Sequence, residues 1–294
     1  MREPKICLIM IAETKTGFFR KNEVDMRYEH TVKGRFLERP NRFIAYVEVN
    51  GQRVICHVKN TGRCQELLVP GCRVVLEFHP KAKEMKRKTE YDLIAVYKGD
   101  LLINMDSQAP NQAALEWMRE KEAKGLSLEN VGIPTNIRRE VTHGDSRFDL
   151  AFELKDDVTG KTVPAFMEVK GVTLEKEGNV FFPDAPTIRG VKHLNGLAQA
   201  KKDGFETFLL LVIQMKGIRK FYPNDETHKA FGDALRAAAA AGVHILAYDC
   251  IVQEDSMNID EKVEVGLLYT ADPIAAHAAH EQQPGLSYND PHII

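Results

Sequence analysis

Two carboxylates and a lysine stand on neighbouring stretches of this chain that have the character of β-strands. Asp149 lies within residues 147–154, and Glu168 and Lys170 form a Glu-x-Lys motif within residues 164–172. Residues i and i+2 of a strand point to the same side, so Glu168 and Lys170 share a face. If the strands pair, the two carboxylates meet and repel, and a divalent cation such as magnesium relieves that repulsion. The pattern predicts metal-dependent chemistry on phosphodiesters; the alternative is an ordinary strand edge bearing a salt bridge.

A basic cluster follows at helical spacing. Arg189, Lys192 and His193 fall at i, i+3 and i+4 near the start of a helix predicted over residues 187–202. Such residues lie on one helix face. Positive charge near a helix N-terminus is unfavourable unless an anion is present, which favours contact with phosphate over a plain amphipathic surface.

The elements that must position these residues divide into two groups. Residues 28–97 are β-rich, with apolar stretches interrupted by turns such as Asn50-Gly51. Asn-Gly between apolar stretches is a strong hairpin signal. Short strands with close turns indicate a small barrel, of which the OB-fold is one type. The predicted strands of this barrel are residues 43–49, 53–58, 73–78 and 92–97.

The second group predicts an α/β domain with a mixed sheet flanked by helices. Its order is α-β-β-β-α-β-α-β, with a strand at residues 243–248 as the last. We predict an N-terminal extension, an OB-like domain, the α/β domain and a flexible tail, at residues 1–23, 24–100, 101–270 and 271–294.

Further candidate site residues lie outside the carboxylate motif. Lys86, Arg87 and Lys88 belong to a basic stretch at residues 81–88, which is either a solvated hairpin tip or a loop that contacts phosphates. Glu140, on the preceding strand, and Asp184, just before the helix, are candidates for an auxiliary role. In the barrel, backbone contact and base stacking are assigned to Arg42, Phe43 and Tyr46, although an interior position suits Phe43 better.

Composition narrows the class of protein. The net charge is −2, so no global basic field indicates a polyanion partner and any such site must be a local patch. Five scattered cysteines without a C-x-x-C motif indicate free thiols in a reducing compartment. The apolar stretch at residues 6–11 is far too short to span a membrane. We therefore expect a cytoplasmic protein without a membrane partner.

The chain resembles the sugar fermentation stimulation protein A (SfsA) family over most of residues 42–248. The resemblance implies an OB-like domain followed by a domain of the PD-(D/E)xK, or restriction-endonuclease-like, nuclease fold. It also implies DNA binding and a link to the regulation of sugar metabolism. On that pattern Asp149 and Glu168 are the metal ligands and Lys170 is the catalytic lysine. The resemblance is carried by His57-Val58-Lys59-Asn60-Thr61-Gly62, Lys86-Arg87-Lys88-Thr89, Ser146-Arg147-Phe148-Asp149, Glu168-Val169-Lys170-Gly171-Val172-Thr173-Leu174, Phe182-Pro183-Asp184-Ala185 and Arg189-Gly190-Val191-Lys192-His193-Leu194.

Together these features predict a nuclease that requires Mg²⁺, with Mn²⁺ as a substitute, and that hydrolyses DNA, with RNA as a further candidate substrate. A rival interpretation is a non-catalytic DNA-binding regulator of sugar metabolism genes. The intact set of two carboxylates and a lysine favours the enzyme, and the sequence contains no helix-turn-helix signal. A third interpretation, a hydrolase of small phosphorylated metabolites, fits the barrel and the basic loop less well. The oligomeric state stays open, with a homodimer as one candidate.

Overall fold

The structure, a computed structural model, describes residues 26–60 and 62–269. The predicted N-terminal extension and C-terminal tail lie outside these residues. In the part that is described, the helices are α1 (Ala109–Lys124), α2 (Ile188–Lys202) and α3 (Asp225–Ala240). The first six strands are β1 (Thr31–Glu38), β2 (Ile44–Val49), β3 (Gln52–Val58), β4 (Arg73–Phe78), β5 (Tyr91–Lys98) and β6 (Leu101–Asn104). The remaining strands are β7 (Ile133–His143), β8 (Ser146–Lys155), β9 (Thr162–Val172), β10 (Leu174–Lys176), β11 (Asn179–Phe182), β12 (Glu206–Ile213), β13 (Lys220–Pro223), β14 (His244–Val252), β15 (Met257–Lys262) and β16 (Glu264–Val265).

Strands β1 to β5 close into a barrel. The chain runs β1-β2-β3 as antiparallel neighbours, β3 pairs in parallel with β5, and β4 joins β5 back to β1. This is the strand order of an OB-fold, and the strand β6 extends the sheet beyond β5. The four predicted strands are confirmed, but β1 and β6 were missed. In β1 only Phe36 is buried and Gly34 interrupts the alternation, so the period-2 signal is weak.

The second sheet has the order β15-β14-β12-β9-β8-β7. Its strands β9, β12 and β14 run parallel to one another, and their outer neighbours β8 and β15 run antiparallel to them. The edge strand β7 pairs antiparallel with β8 and therefore has the same direction as the central strands. The predicted mixed sheet and its order of helices and long strands are confirmed. The expectation that residues 243–248 form the last strand was wrong, because β15 and β16 follow. These late strands bury few side chains and therefore carry little hydrophobic signal.

Helices cover both faces of this sheet. On one face α1 packs through Ala113 and Met118 onto a core that includes Met167 of β9. On the other face α2 packs through Leu194 and Leu197. The central strand β12 is buried along almost all of its length, as expected for a strand covered on both faces. A third, small sheet has the order β10-β11-β13-β16. In the sequence, β10 and β11 precede α2, β13 lies between α2 and α3, and β16 follows β15.

A buried polar network joins the barrel to the second domain. Gln214, which follows β12, donates through Nε2 to the backbone oxygens of Asn104 and Asp106 at 3.1 Å each. Lys59, just after β3, forms an ion pair of 2.5 Å with the buried Asp106. Because Asp106 also accepts the N–H of Gln108 at the start of α1, at 2.9 Å, the barrel and the first helix are held in one arrangement.

Two further sequence expectations can be compared with the described residues. Cys56, Cys64, Cys72 and Cys250 are free thiols, as predicted. Burial raises the pKa of Cys56 and Cys64 to about 12, which keeps these thiols protonated and unreactive. Among the residues that the structure describes, no helix is long and apolar enough to cross a bilayer.

Candidate functional site

The site forms where strands β8 and β9 separate. Their antiparallel ladder extends from Lys155↔Thr162 to Leu150↔Met167, and Asp149 is the next residue along β8. There the Asp149 side chain replaces a backbone hydrogen-bond partner, since its Oδ2 accepts the backbone N–H of Val169 at 2.8 Å. Its Oδ1 accepts from Asn111 Nδ2 of α1 at 2.9 Å. The carboxylate is thus anchored by the adjacent strand and by the helix on one face of the sheet.

Glu168 is the most deeply buried member of the site, with 1% of its surface exposed. Lys170 Nζ lies 2.5 Å from Glu168 Oε1, and His193 Nδ1 of α2 contacts the same oxygen. The other oxygen, Oε2, is buried and has no hydrogen-bond partner in the described part of the chain. A buried carboxylate oxygen without a partner is costly, so this atom marks a place where a ligand would be stabilised.

Helix α2 contributes a short chain of side chains to Glu168. Arg189 Nε donates to His193 Nε2 at 3.2 Å, and His193 Nδ1 lies 3.3 Å from Lys170 Nζ. The spacing of four residues places Arg189 and His193 on one helix face, as predicted from the sequence. Lys192 lies between them in the chain and is exposed.

The two carboxylates are perturbed in opposite directions. Burial, followed by the negative charge of Glu168, raises the pKa of Asp149. Burial alone would also raise the pKa of Glu168, but the hydrogen bonds and charges of His193 and Lys170 outweigh it and hold that pKa below its ordinary value. Pairs of titratable groups whose pKa values are pushed apart are typical of functional sites, although structural ion pairs can do the same.

Asp149 and Glu168 together have the donor set for a hard divalent cation. Both offer carboxylate oxygens from adjacent strands, and the unpartnered Oε2 of Glu168 is the atom that such an ion would satisfy. The fit therefore rests on an orphaned buried oxygen as well as on the types of residue.

The two auxiliary candidates lie in different places. Glu140 is exposed on β7, where its carboxylate is bound at 2.5 Å by Arg147. Asp184 lies against the barrel, and a Cβ atom added to Gly62 would be only 2.4 Å from its Oδ2. Desolvation by the surrounding protein raises the pKa of Asp184. This residue lines a cleft of about 140 Å³ between the domains, together with Asn60, Gly62, Ser107, Gly171, Thr173, Leu174, Phe181, Phe182 and Gln214.

The basic loop, residues 81–88, is only partly free. Arg87 Nη2 donates to Asp92 Oδ1 at 2.7 Å, so this guanidinium is held inside the barrel domain. Lys86 and Lys88 are exposed. The structure therefore leaves the two lysines open to solvent, whereas Arg87 has a structural partner.

The barrel presents a second basic surface. A pocket of about 440 Å³ beside the β1–β2 connection is lined in part by Arg39, Arg42 and Arg63. Phe43 is 57% exposed, which contradicts the expectation of an interior position. It sits at the end of the β1–β2 connection, where an aromatic side chain can leave the barrel core. Tyr46 is covered by the Arg53 guanidinium, 4.0 Å from the ring centroid.

Asn111 is the site residue that sequence reasoning missed. It lies 38 residues before Asp149 in the chain, and a separation of that length gives no signal of contact. An amide in the first turn of a helix has no distinctive pattern. Only the packing of α1 onto the sheet brings it to the carboxylate.

An OB barrel joined to a mixed α/β domain, with a pair of carboxylates where two strands separate, defines a two-domain class of protein. Residues 37–105 match the model of the SfsA N-terminal OB domain, and residues 108–256 match that of the sugar fermentation stimulation protein RE domain. The chain belongs to the SfsA family.

Individual relatives agree with this assignment. The chain is 50% identical over 240 residues to a sugar fermentation stimulation protein homolog of Clostridium beijerinckii. The aligned region covers 82% of this chain and 99% of the relative. A homolog from Desulfitobacterium hafniense is 51% identical over 243 residues, and this alignment covers 83% of the present chain and 99% of the homolog. The solved structure of Pyrococcus furiosus SfsA in complex with Ca²⁺ is similar in fold, with a TM-score of 0.69 and 23% sequence identity. The superposed region covers 82% of this chain and 98% of the Pyrococcus furiosus chain.

Proposed function

We propose that this protein is a Mg²⁺-dependent nuclease that hydrolyses phosphodiester bonds of DNA and, as a further substrate, of RNA. The observation that carries the proposal is the buried Glu168, whose Oε2 has no partner among the described residues and which lies beside Asp149 where β8 and β9 separate. A purely structural salt bridge does not require an unsatisfied buried carboxylate oxygen.

The arrangement supports a PD-(D/E)xK assignment for the second domain. An aspartate ends the paired part of one strand, a Glu-x-Lys follows on the antiparallel neighbour, and helices cover both faces of the mixed sheet. All three side chains of the motif take part in one hydrogen-bonded and electrostatic cluster.

Asp149 and Glu168 would hold the cation. When bound, a divalent cation supplies Lewis-acid polarisation of a phosphate oxygen. The Pyrococcus furiosus relative was solved in complex with Ca²⁺, an ion that shares with Mg²⁺ a preference for oxygen ligands. We expect Mg²⁺ to support turnover and Mn²⁺ to replace it.

The reaction is hydrolysis: a water oxygen forms a bond to phosphorus and releases a proton to solvent, while the bond from phosphorus to the leaving oxygen breaks and that oxygen takes up a proton from solvent. Lys170 supplies a positive charge beside Glu168, where negative charge grows on the phosphate in the transition state. Arg189 and Lys192, both exposed on α2, are suited to hold the flanking phosphates. His193 orients Glu168 through Nδ1.

The deciding experiment measures cleavage of single- and double-stranded DNA and RNA by the purified protein with Mg²⁺, Mn²⁺ or EDTA. We expect cleavage with either metal and none with EDTA. Wild-type and Asp149→Asn proteins purified in parallel exclude a contaminating nuclease. Salt-dependent DNA binding without cleavage in any metal would refute the enzyme and favour the non-catalytic regulator.

The contribution of the basic loop to DNA binding is tested by replacing Lys86 and Lys88 together by Ala. Arg87 stays in place because its ion pair with Asp92 belongs to the barrel. Each phosphate neutralised releases counterions, so the slope of log affinity against log salt should fall by about 2 on duplex DNA. A Lys229→Ala variant on α3, where Lys229 pairs with Asp233, is the control. An unchanged slope in the double variant would mean that the loop is a solvated hairpin tip.

A further inference from the structure

A second group of metal-ligand side chains lies in the barrel domain. Glu77 of β4 stands directly opposite Asp92 of β5 in the antiparallel ladder. Like charges in such cross-strand pairs are destabilising, and Asp92 is only 3% exposed. His79 follows Glu77 by two residues and contacts both carboxylates. The barrel therefore places two carboxylates and one imidazole around a common point.

The distances among these atoms suit a small tetrahedral ion. His79 Nε2 lies 3.0 Å from Asp92 Oδ2 and 3.5 Å from Glu77 Oε2. Nitrogen and oxygen ligands bind zinc at about 2.0–2.2 Å, so tetrahedral geometry separates two ligand atoms by roughly 3.3–3.5 Å. The three ligand atoms all lie within 4.8 Å of one another. Little movement is needed to place an ion between them.

The surroundings orient one of the ligands. Arg87 Nη2 donates to Asp92 Oδ1 at 2.7 Å, and His57 Nδ1 lies 3.5 Å from the same oxygen. Oδ2 of Asp92 is thereby left to face His79. Hydrogen bonds to the outer oxygen of a ligating carboxylate are a common feature of metal sites, because they fix its orientation.

We propose that Glu77, His79 and Asp92 bind a divalent transition-metal ion of the zinc class, with Arg87 as the positioning residue of Asp92. An imidazole with two carboxylates suits zinc, whereas magnesium prefers all-oxygen ligands in octahedral geometry. The fourth position is open to water. The ligands flank residues 80–91, so the bound ion joins the two ends of the segment that contains the basic loop. This site is separate from the nuclease site and does not depend on its activity.

The test is a Co²⁺ titration of the full-length protein after removal of metals with EDTA. Tetrahedral Co²⁺ gives intense visible absorption bands, and octahedral Co²⁺ gives weak ones. We expect intense bands that saturate at one equivalent, that zinc abolishes, and that excess Mg²⁺ leaves in place. Weak bands only, or bands that Mg²⁺ removes, would overturn the proposal.

Three variants assign the bands to residues. His79→Gln removes one ligand and should abolish the intense bands. His244→Gln is the matched control, because His244 contacts a single carboxylate, Glu206, at 2.9 Å. The double variant Asp149→Asn/Glu168→Gln should keep the bands, since it alters only the nuclease site. Far-UV circular dichroism checks that each variant is folded.

The pattern of losses decides the outcome. Bands that persist in a folded His79→Gln protein, or that disappear in the Asp149→Asn/Glu168→Gln protein, would place the ion elsewhere and overturn the proposal. If His79→Gln is unfolded, Glu77→Gln replaces it, because it removes a ligand oxygen at the end of the ladder with little change in shape. The same loss of bands is then expected.

The effect on the segment is measured by limited trypsin digestion, which cleaves after exposed lysines such as Lys86. Zinc should slow cleavage in this segment in the wild-type and His244→Gln proteins and have no effect in His79→Gln. Equal cleavage rates with and without zinc in the wild-type protein would show that no ion closes the segment.

Discussion

Two acidic clusters of the second domain differ in how their negative charge is balanced. The forked-strand pair, Asp149 and Glu168, leaves one buried oxygen without a partner among the described residues. The lysine-centred cluster has more carboxylates, yet Lys216 Nζ lies within 3.0 Å of an oxygen from each of them. Its members are Asp249, Asp260 and Glu261.

The backbone completes the lysine-centred cluster. Gly217 N donates to Asp249 Oδ2 at 3.1 Å, and Glu261 N donates to Asp249 Oδ1 at 3.0 Å. The carboxylates raise the pKa of Lys216, which keeps it charged at all ordinary pH values. The number of acidic groups therefore does not by itself mark a metal site. What distinguishes these two clusters is the unsatisfied oxygen of Glu168, because it is the atom that gains from a ligand.

The sharpest test of this comparison is a pair of conservative substitutions. Glu168→Gln should reduce metal-dependent cleavage by about 10³-fold, the upper range for loss of one electrostatic contact in a transition state. Asp260→Asn in the lysine-centred cluster should leave cleavage unchanged. Steady-state rates on one DNA substrate, with folding verified by circular dichroism, provide the measurement. Equal losses in both variants would remove the distinction between the clusters.

Loss of Lys170 should affect catalysis, whereas loss of Lys216 should affect stability. Lys170→Ala should lower kcat by about 10²- to 10³-fold with little change in DNA affinity, because its charge matters most where the transition state develops. Single-turnover rates and equilibrium binding in Ca²⁺ separate the two quantities. If affinity and rate fall together, Lys170 acts as a phosphate anchor.

Lys216→Met should show the opposite profile. It leaves the buried Asp249 without its cation, so the free energy of unfolding should fall by roughly 1–3 kcal/mol. The rate per folded molecule should stay at the wild-type value. Urea unfolding and the cleavage assay are run on the same preparation, and Lys229→Met on α3 is the exposed-lysine control. A loss of turnover without loss of stability would assign a functional role to this cluster.

The smallest expected effect concerns the pH dependence of stability at the forked-strand pair. Asp149 has a raised pKa, so the folded protein holds this proton at a higher pH than the unfolded chain does. Its contribution to stability therefore declines as the pH rises from the ordinary aspartate pKa through the raised value. In EDTA at neutral pH, Asp149→Asn should be more stable than the wild type by roughly 0.5–2 kcal/mol.

Glu168 supplies the internal control for this sign. Its lowered pKa means that the stability it contributes is present above the ordinary glutamate pKa and is lost as the pH falls through the lowered value. Glu168→Gln should therefore be less stable than the wild type at neutral pH, and both differences should disappear in strong acid. Urea midpoints at neutral and acidic pH measure them. Shifts of the same sign in the two variants would contradict the electrostatic account.

Much of the fold was accessible from local sequence patterns. The helix ends follow from capping: Thr187 accepts the Gly190 N–H at 3.0 Å at the start of α2, and Gly125 adopts a φ of 62° at the end of α1. The continuous apolar stretch at residues 208–213 is typical of a strand buried on both faces, and β12 is such a strand. The missed strands are short or bury few side chains; they are β1, β6, β10, β11, β13, β15 and β16.

The sequence by itself determined the types of group at the candidate site and their faces. A period of two places Glu168 beside Lys170, and a period of 3.6 places Arg189 beside His193, since both follow from backbone geometry alone. The distant contacts were decided only by tertiary structure. Asn111 reaches Asp149 and His193 reaches Glu168 because helices pack on opposite faces of one sheet.

The same division explains the charges. The sequence gives the number of acidic residues but does not show which negative charges are balanced by nearby positive groups or hydrogen-bond donors, because that balance depends on distances of a few ångströms between remote segments. In the sequence, Arg87 is a candidate for contact with a phosphate, but in the folded barrel its guanidinium donates to Asp92. Glu168 Oε2, in contrast, is buried and has no hydrogen-bond partner within residues 26–60 and 62–269, and burial is a property that only the folded chain possesses.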